Sequence, residues 1–123
     1  MEQKTILIVD DDSRNIFALS LVLKSRGYPC ISASQANEGI AIMKENAAIG
    51  IVLLDMMMPG MDGYQALQVV KNDDDIKHIP VIAVTAQAMA GDKEKCLEAG
   101  ADGYISKPVN VDELSEILQK FLK

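Results

Sequence analysis

Cysteine is scarce in this chain: its 123 residues include two, Cys30 and Cys96, which stand 66 positions apart. That spacing fits no metal-binding or redox motif, and two cysteines are too few for the disulfide framework of a small secreted domain. We therefore expect both residues to be reduced thiols. Cys96 is expected in the core, on the apolar stripe of a helix that also carries Met89 and Leu97.

Long apolar runs are absent as well. The run nearest the N-terminus, at 6–9, has four residues and is followed at once by acids, so no signal peptide is recognisable. No run approaches the length of a membrane span. These absences predict a cytoplasmic location without a membrane partner.

Basic residues are outnumbered, with 12 lysines and arginines against 18 aspartates and glutamates and a net charge of −6. A negative surplus argues against broad attraction to nucleic acid or to anionic lipid. Basic or cationic partners fit this charge better.

The composition is otherwise that of one folded domain. Hydrophobic residues make up 49% of the chain and charged residues 24%, and a chain of this length can bury a single core. No repeat, low-complexity tract or linker interrupts it. We therefore expect residues 1–123 to form one domain, with no effector domain in this chain.

Five short runs predict strands, and they lie at 5–9, 28–33, 49–55, 80–85 and 102–107. Three of them, TILIV, IGIVLLD and PVIAVT, are continuously apolar rather than alternating. Continuous apolarity is typical of strands that are buried on both faces of a parallel sheet. The run YPCISA mixes small and polar residues, as an outer strand does.

Segments with helical periodicity separate these strands. Helices are predicted near 14–26, from Ser34, from Asp62, over 88–99 and from Asn110. Asp62 and Asn110 each stand three residues before a glutamine or glutamate, which is the spacing of a capping box. Strand and helix alternate five times, so the fold class is α/β, a doubly wound parallel sheet with helices on both faces.

The tripeptide Asp-Asp-Asp occurs twice, at 10–12 and at 73–75. The first follows a strand and therefore lies at the carboxyl edge of the sheet, where doubly wound folds bind their ligands. The second follows a helix and lies at the opposite edge, where a solvated turn is expected. Within the first, Asp12 is expected to begin the following helix as its cap.

Three more polar residues, Asp55, Thr85 and Lys107, close or leave apolar strands at the same carboxyl edge. Asp55 together with Asp10 and Asp11 predicts a cluster of three carboxylates of the kind that suits Mg²⁺, which keeps waters and shares phosphate oxygens. A carboxylate beside such an ion can attack a phosphoryl group and form an acyl phosphate. An ammonium and a hydroxyl group would then spread the charge of the transferred group.

These segments resemble the receiver domains of two-component response regulators over the whole chain. The motifs stand in order: IVDDD after the first strand, LLDMMMPGMDG around Asp55, AVTA after the fourth strand, and GADGYISKP near the end. In amino-acid sequence, these segments are more similar to the receivers of hybrid histidine kinases than to those fused to DNA-binding domains. The resemblance implies a flavodoxin-like sheet with strand order 2-1-3-4-5 and five helices. It also implies a phosphorelay signalling domain rather than an enzyme, with a histidine kinase or a histidine phosphotransfer protein as the donor.

The resemblance assigns a role to each residue of the site. Asp55 is the implied phosphoacceptor. The implied ligands of Mg²⁺ are Asp11 and Asp55 directly, Asp10 through water, and the backbone carbonyl of Met57. The implied phosphoryl-binding residues are Thr85, Ala86 and Lys107.

The resemblance also implies a conformational switch. Thr85 and Tyr104 match the family's switch pair, in which the threonine moves towards the phosphoryl group and the tyrosine turns inward. The remodelled surface would comprise the fourth helix, fifth strand and fifth helix, which is also the expected face of a homodimer. The Lys107–Pro108 peptide bond is expected to be cis.

Met57 and Gln87 stand two residues after Asp55 and Thr85, where members of this family tune the lifetime of the phosphoryl group. Met57 is apolar and cannot orient an attacking water. We therefore predict slow to moderate self-dephosphorylation, with a half-life longer than seconds.

The first helix carries more apolar residues than one face needs, because Phe17 and Leu21 lie off its main stripe. Exposed apolar surface can mark a partner site, although buried packing is at least as good an expectation for Phe17. By resemblance, the histidine donor docks partly on this helix. The candidate docking residues are Asn15, Ile16 and Leu19, beside Pro108.

The sequence leaves three alternatives to a phosphoacceptor domain. A haloacid-dehalogenase-like phosphatase would use Asp10 and Asp12 in a D-x-D pattern, but Ser13 is unusual there and no cap insertion exists. A flavin-binding module of the same fold needs small and hydroxyl residues where this chain has acids. A structural adaptor without phosphorylation would not need the complete acidic set.

Overall fold

The computed structural model describes residues 4–58, 60–85 and 92–122, and within these ranges the chain forms five strands and five helices. The strands are β1 (Thr5–Val9), β2 (Cys30–Ala33), β3 (Ile49–Asp55), β4 (Val81–Thr85) and β5 (Gly103–Ser106). The helices are α1 (Ser13–Ser25), α2 (Ala36–Glu45), α3 (Gly63–Lys71), α4 (Asp92–Glu98) and α5 (Val111–Phe121). Strand and helix alternate along the chain, which confirms the predicted doubly wound arrangement.

The sheet is parallel, and its strand order is β2-β1-β3-β4-β5. The predicted order is therefore confirmed, with the mixed run at 28–33 supplying the outer strand β2. Because every strand runs in the same direction, the loops that follow the strands meet at one edge. That carboxyl edge is the place where ligands bind in folds of this class.

The core lies on both faces of the sheet, and β1 shows why its sequence is continuously apolar. Leu7 and Val9 pack in the cluster that includes residues of α2 and α3, whereas Ile6 and Ile8 pack in the cluster that includes residues of α1 and α5. All four are buried. A strand covered on both sides has no solvent face on which polar residues could alternate.

Three helices begin with side-chain caps at predicted positions. Asp12 accepts a hydrogen bond from the backbone N–H of Arg14, at 2.9 Å, and precedes α1. Asp62 accepts from the N–H of Gln65 at 2.9 Å, and Asn110 accepts similarly in α5. These caps satisfy donors that the first turn of a helix otherwise leaves without a partner.

The predicted start of the second helix at Ser34 is wrong by two residues. The backbone at Gln35 is extended, and α2 begins at Ala36. Glu38 explains the difference, because its carboxylate reaches back to accept the N–H of Ser34 at 2.8 Å. Ser34 is therefore held in the loop before the helix.

The fourth helix is described from Asp92 to Glu98, and the earlier part of the predicted segment, with Met89, lies outside the described residues. Cys96 is fully buried, as expected, whereas Leu97 is exposed rather than part of the apolar stripe. Neither Cys30 nor Cys96 is part of a disulfide, which fits the expectation of two thiols.

The outer side of α1 carries exposed apolar residues. Phe17 is 70% exposed and Leu21 is 60% exposed, so of the two alternatives left open for Phe17 the exposed one is confirmed and burial in the core is wrong. Leu23, on the opposite side, fills the core instead. None of the helices in the described ranges has the length and apolarity needed to cross a membrane.

Candidate phosphoacceptor site

The strand register brings the predicted site residues together at the carboxyl edge. Val9 pairs with Leu54, so the next residues along these neighbouring strands, Asp10 and Asp55, lie side by side. On the other side of β3, Asp55 pairs with Val84, and Thr85 is the last residue of β4. Thr85 in turn pairs with Ser106 of β5, the residue before Lys107, so four strands end within one small region.

Three carboxylates form the acidic part of the site. Asp10, Asp11 and Asp55 each offer one oxygen atom, and these atoms all lie within 4.8 Å of one another. Asp10 and Asp55 are buried, whereas Asp11 is exposed. A set of oxygen ligands that is open to solvent on one side fits Mg²⁺, which binds a few carboxylates and keeps several waters.

Backbone hydrogen bonds orient the two buried carboxylates. Asp10 Oδ1 accepts the N–H of Asp12 at 2.8 Å, and Asp55 Oδ1 accepts the N–H of Met57 at 3.0 Å. In each case the bond fixes one carboxylate oxygen to the loop that follows the strand. The second oxygen of each carboxylate faces the same cation.

That cation is Lys107. Its Nζ lies 3.4 Å from Asp10 Oδ2 and 3.4 Å from Asp55 Oδ2. Its backbone N–H donates to the carbonyl of Thr85 at 2.7 Å, which ties the loop after β5 to the end of β4. One ammonium group therefore lies between two buried carboxylates.

Burial raises the pKa of Asp55 above its usual value of 3.8, and it is the strongest influence on that group. The hydrogen bond from Met57 lowers the pKa, the negative charge of Asp10 raises it, and Lys107 lowers it. The net shift is upward. The ionised form of Asp55 is therefore destabilised in the folded protein, and an added positive charge would stabilise it.

The structure describes three of the remaining candidate site residues, Thr85, Tyr104 and Pro108. Thr85 is buried at the end of β4, and Tyr104 is half-buried against the core cluster. The Lys107–Pro108 peptide bond is cis. Ala86 and Gln87 lie outside the described residues.

The second Asp-Asp-Asp string lies at the opposite edge of the sheet, in the turns between α3 and β4. Asp74 and Asp75 are exposed, as predicted. Asp73 is not simply solvated, because its carboxylate lies 2.9 Å from Lys44 Nζ and also accepts the N–H of Asp75. The bond with Lys44 is the main cause that lowers the pKa of Asp73.

Replacing Lys107 by methionine is expected to raise the pKa of Asp55 further, because the variant loses the positive charge that opposes burial and Asp10. NMR titration of the side-chain carboxyl carbons without divalent ions measures this shift. Lys44→Met is the matched control, and it should raise the pKa of Asp73 while leaving that of Asp55 in place. An equal response of Asp55 to both substitutions would contradict the assigned role of Lys107.

A groove of about 250 Å³ opens beside the site, between α1 and the loop after β5. Asn15, Leu19 and Pro108, predicted as docking residues, line it, and Asp10 and Lys107 lie at its polar end. Ile16 packs instead against the core cluster on that face.

Two residues near the site were not predicted in their structural roles. The side-chain amide of Asn15 lies 3.5 Å from Asp10 Oδ2, and this contact follows from the helical turn that α1 makes directly after Asp12. Gly63 is packed against Met56 so closely that an added Cβ would lie 2.6 Å from the Met56 Cα. The sequence feature that points to this close packing is the presence of a glycine directly after the helix cap Asp62.

The fold and site together define a phosphoryl-transfer domain built on a parallel α/β sheet. The family model described as "Response regulator receiver domain" matches residues 6–119 of this chain. The protein therefore belongs to the response regulator receiver domain family, and it is a phosphoacceptor signalling domain. Receiver domains have histidine kinases or phosphotransfer proteins as partners.

Individual relatives agree with this assignment. The polar-differentiation response regulator DivK of Brucella anthropi is 34% identical over 119 residues, which cover 97% of this chain and 96% of that protein. A putative response regulator from Chloroflexus aurantiacus is 32% identical, with a TM-score of 0.91 and 98% of each chain covered. The receiver domain of a sensor histidine kinase from Pseudomonas aeruginosa is 30% identical, with a TM-score of 0.88 and 98% of each chain covered. That structure has a magnesium ion coordinated in its active-site cleft.

Membership in this family also decides between the alternatives. A haloacid-dehalogenase-like phosphatase with Asp10 as the nucleophile and a flavin-binding module are both set aside. The acids Asp10 and Asp11 after β1 lie in one cluster with Asp55.

Proposed function

We propose that Asp55 accepts a phosphoryl group from a phosphohistidine of a histidine kinase or of a histidine phosphotransfer protein. The observation that carries this proposal is the position of Asp55, buried at the end of β3 beside two further carboxylates and 3.4 Å from Lys107 Nζ. In the transfer, a carboxylate oxygen of Asp55 forms a bond to phosphorus while the bond between phosphorus and the donor imidazole breaks. The product is an acyl phosphate on Asp55.

Mg²⁺ is the proposed cofactor, and the carboxylates of Asp10, Asp11 and Asp55 with the carbonyl of Met57 would hold it. When bound, it would neutralise negative charge on the transferred phosphoryl oxygens. Asp11 and Asp55 would bind directly, whereas Asp10 would act mainly through water. The two buried carboxylates support this role because a single lysine leaves their charge only partly compensated.

Lys107, Thr85 and Ala86 are the proposed partners of the phosphoryl oxygens. The ammonium of Lys107 already lies beside Asp55, and the carbonyl of Thr85 anchors the Lys107 backbone. A shift of the Thr85 hydroxyl towards the new charge, with an inward turn of Tyr104, would change the face made by α4, β5 and α5. We propose that this face forms the output surface, including that of a homodimer.

Several further properties are part of the proposal. Residues 1–123 are proposed to act as one receiver domain whose chemistry is limited to Mg²⁺-dependent self-phosphorylation and self-dephosphorylation. The apolar side chain of Met57, together with Gln87, supports a phosphoryl half-life longer than seconds. The net charge of −6 supports a protein partner rather than nucleic acid or a membrane, and two thiols suit the cytoplasm.

Incubation with acetyl phosphate and Mg²⁺ tests the proposed function. We expect the intact protein to gain the mass of one phosphoryl group, and we expect peptide mapping to place it on Asp55. A chelator added before the donor should prevent the gain, because the buried acids then repel the incoming phosphate. A gain that is independent of the metal, or that maps elsewhere, would refute this assignment.

A further inference from the structure

Met57 differs in exposure from the other methionines of the described residues. Its side chain is 54% exposed, whereas Met43, Met56 and Met58 are between 1% and 7% exposed and Met61 is half-buried. Exposure matters because a thioether is oxidised only where an oxidant can reach the sulfur atom. Within the described ranges, Met57 is therefore the methionine most open to oxidation.

Met57 is also bound to the phosphoacceptor through its backbone. Its N–H donates to Asp55 Oδ1 at 3.0 Å, so the residue is fixed at the rim of the acidic site. Any change in the polarity of its side chain is consequently a change beside the carboxylate that would carry the phosphoryl group. The neighbouring Met56 and Met58 are held in the core and do not share this position.

We propose that Met57 is a modification site for peroxides, and that its oxidation shortens the lifetime of the phosphoryl group. This inference rests on the proposed role of Asp55. The sulfur of Met57 attacks one oxygen of the peroxide, an S–O bond forms and the O–O bond breaks. The sulfur is oxidised to a sulfoxide, and the departing oxygen takes up a proton, so that hydrogen peroxide is reduced to water.

The sulfoxide changes what the side chain can do at the rim of the site. A thioether is a weak acceptor, whereas the sulfoxide oxygen is polar and accepts hydrogen bonds strongly. It can orient a water molecule towards the acyl phosphate, which the thioether cannot. One ordinary hydrogen bond made in the transition state corresponds to a rate increase of about tenfold.

The test compares the wild type with Met57→Leu and Met57→Gln. Leucine keeps an apolar side chain that peroxide does not oxidise, and glutamine carries a polar oxygen in place of the sulfur. Each protein is treated with hydrogen peroxide, the peroxide is removed, and peptide mass spectrometry gives the extent of oxidation at each methionine. The protein is then phosphorylated with acetyl phosphate and Mg²⁺, and the phosphoryl half-life is compared with that of the same protein before treatment.

We expect Met57 to gain oxygen before Met56, Met58 and Met61, and the half-life of the oxidised wild type to fall by about tenfold. Untreated Met57→Gln should show a similarly short half-life. Methionine sulfoxide reductase should restore the wild-type value. In Met57→Leu, treatment should leave the half-life unchanged, which separates Met57 from Cys30 and from every other oxidisable residue.

Two results would overturn the inference. One is oxidation of the buried methionines at the same rate as Met57. The other is an unchanged half-life once Met57 is fully oxidised. A failure of the proposed function would look different, because untreated protein would then carry no phosphoryl group on Asp55, while the order of methionine oxidation would still be measured.

Discussion

Asp55→Asn is expected to abolish the phosphoryl mass gain completely. The amide of asparagine keeps the size of the side chain but is not a nucleophile towards phosphorus, so no acyl phosphate forms. Intact-protein mass spectrometry after treatment with acetyl phosphate and Mg²⁺ measures the loss. Asp75→Asn is the matched control, because it removes the same charge at the opposite edge of the sheet, and it should gain the phosphoryl group as the wild type does.

Asp10→Asn sharpens the same experiment. It alters the metal site while leaving the proposed phosphoacceptor in place, so the mass gain should become slower without disappearing. A gain that survives in Asp55→Asn and disappears in Asp10→Asn would reverse the assignment of the nucleophile.

The same Asp55→Asn variant should be more stable than the wild type at neutral pH without divalent ions. The pKa of Asp55 is raised in the folded state, so its stabilising contribution is complete below the unfolded pKa and is lost as pH rises through the folded pKa. At neutral pH the charged carboxylate therefore destabilises the fold, and asparagine removes that cost. Urea unfolding measures the difference, and a less stable variant would mean that loss of activity reflects damage to the fold.

Mg²⁺ is expected to stabilise the wild type more than it stabilises Asp55→Asn. At a concentration ten times its dissociation constant, an ion that binds only the folded wild type stabilises it by about 1.4 kcal/mol. Asp55→Asn lacks one of the proposed direct ligands and should gain less. Unfolding with and without Mg²⁺ therefore reports on metal binding independently of phosphorylation.

Gly63→Ala is expected to lower the free energy of unfolding by about 3 kcal/mol, at the upper end of what overpacking costs. The added Cβ would lie 2.6 Å from the Met56 Cα, and backbone cannot move aside as the end of a flexible side chain can. The shift required of Met56 also moves Met57, whose N–H holds Asp55 Oδ1. We therefore expect slower phosphorylation of Asp55 as well as lower stability.

Urea unfolding and the rate of the mass gain test both parts of this prediction. Gln65→Ala is the control, since Gln65 is exposed on the same helix and its substitution should change stability by no more than about 0.5 kcal/mol. Equal stability of Gly63→Ala and the wild type would show that the loop before α3 adjusts without cost. In that case the close packing of Gly63 would not position the phosphoacceptor loop.

Much of this fold could be predicted because its signals are local. The bounds of β1 and β3 match the predicted runs, since continuous apolarity marks a strand that is buried on both faces. The caps Asp62 and Asn110 were likewise readable from a spacing of three residues. The placement of the candidate site residues at one edge could be predicted from topology, because the carboxyl ends of parallel strands lie at the same edge of the sheet.

The errors arise where a distant or competing partner decides the outcome. Lys44 comes from α2, so no local pattern around the second acidic string reveals that it pairs with Asp73. The predicted start of α2 at Ser34 is wrong because the carboxylate of Glu38 accepts a hydrogen bond from the backbone N–H of Ser34. For Phe17 the sequence left exposure and burial open, because apolar periodicity alone does not show how wide a face of the helix the sheet covers.

The lysine between the two buried acids affects the charge of the ion that the proposed metal site would accept. Three carboxylates and one ammonium leave two negative charges in the ionised site. A divalent cation brings the sum to zero, whereas a monovalent cation leaves one negative charge uncompensated beside the buried Asp55. By charge alone, the proposed metal site would therefore favour a divalent over a monovalent cation, and the positive charge of Lys107 is what sets this preference.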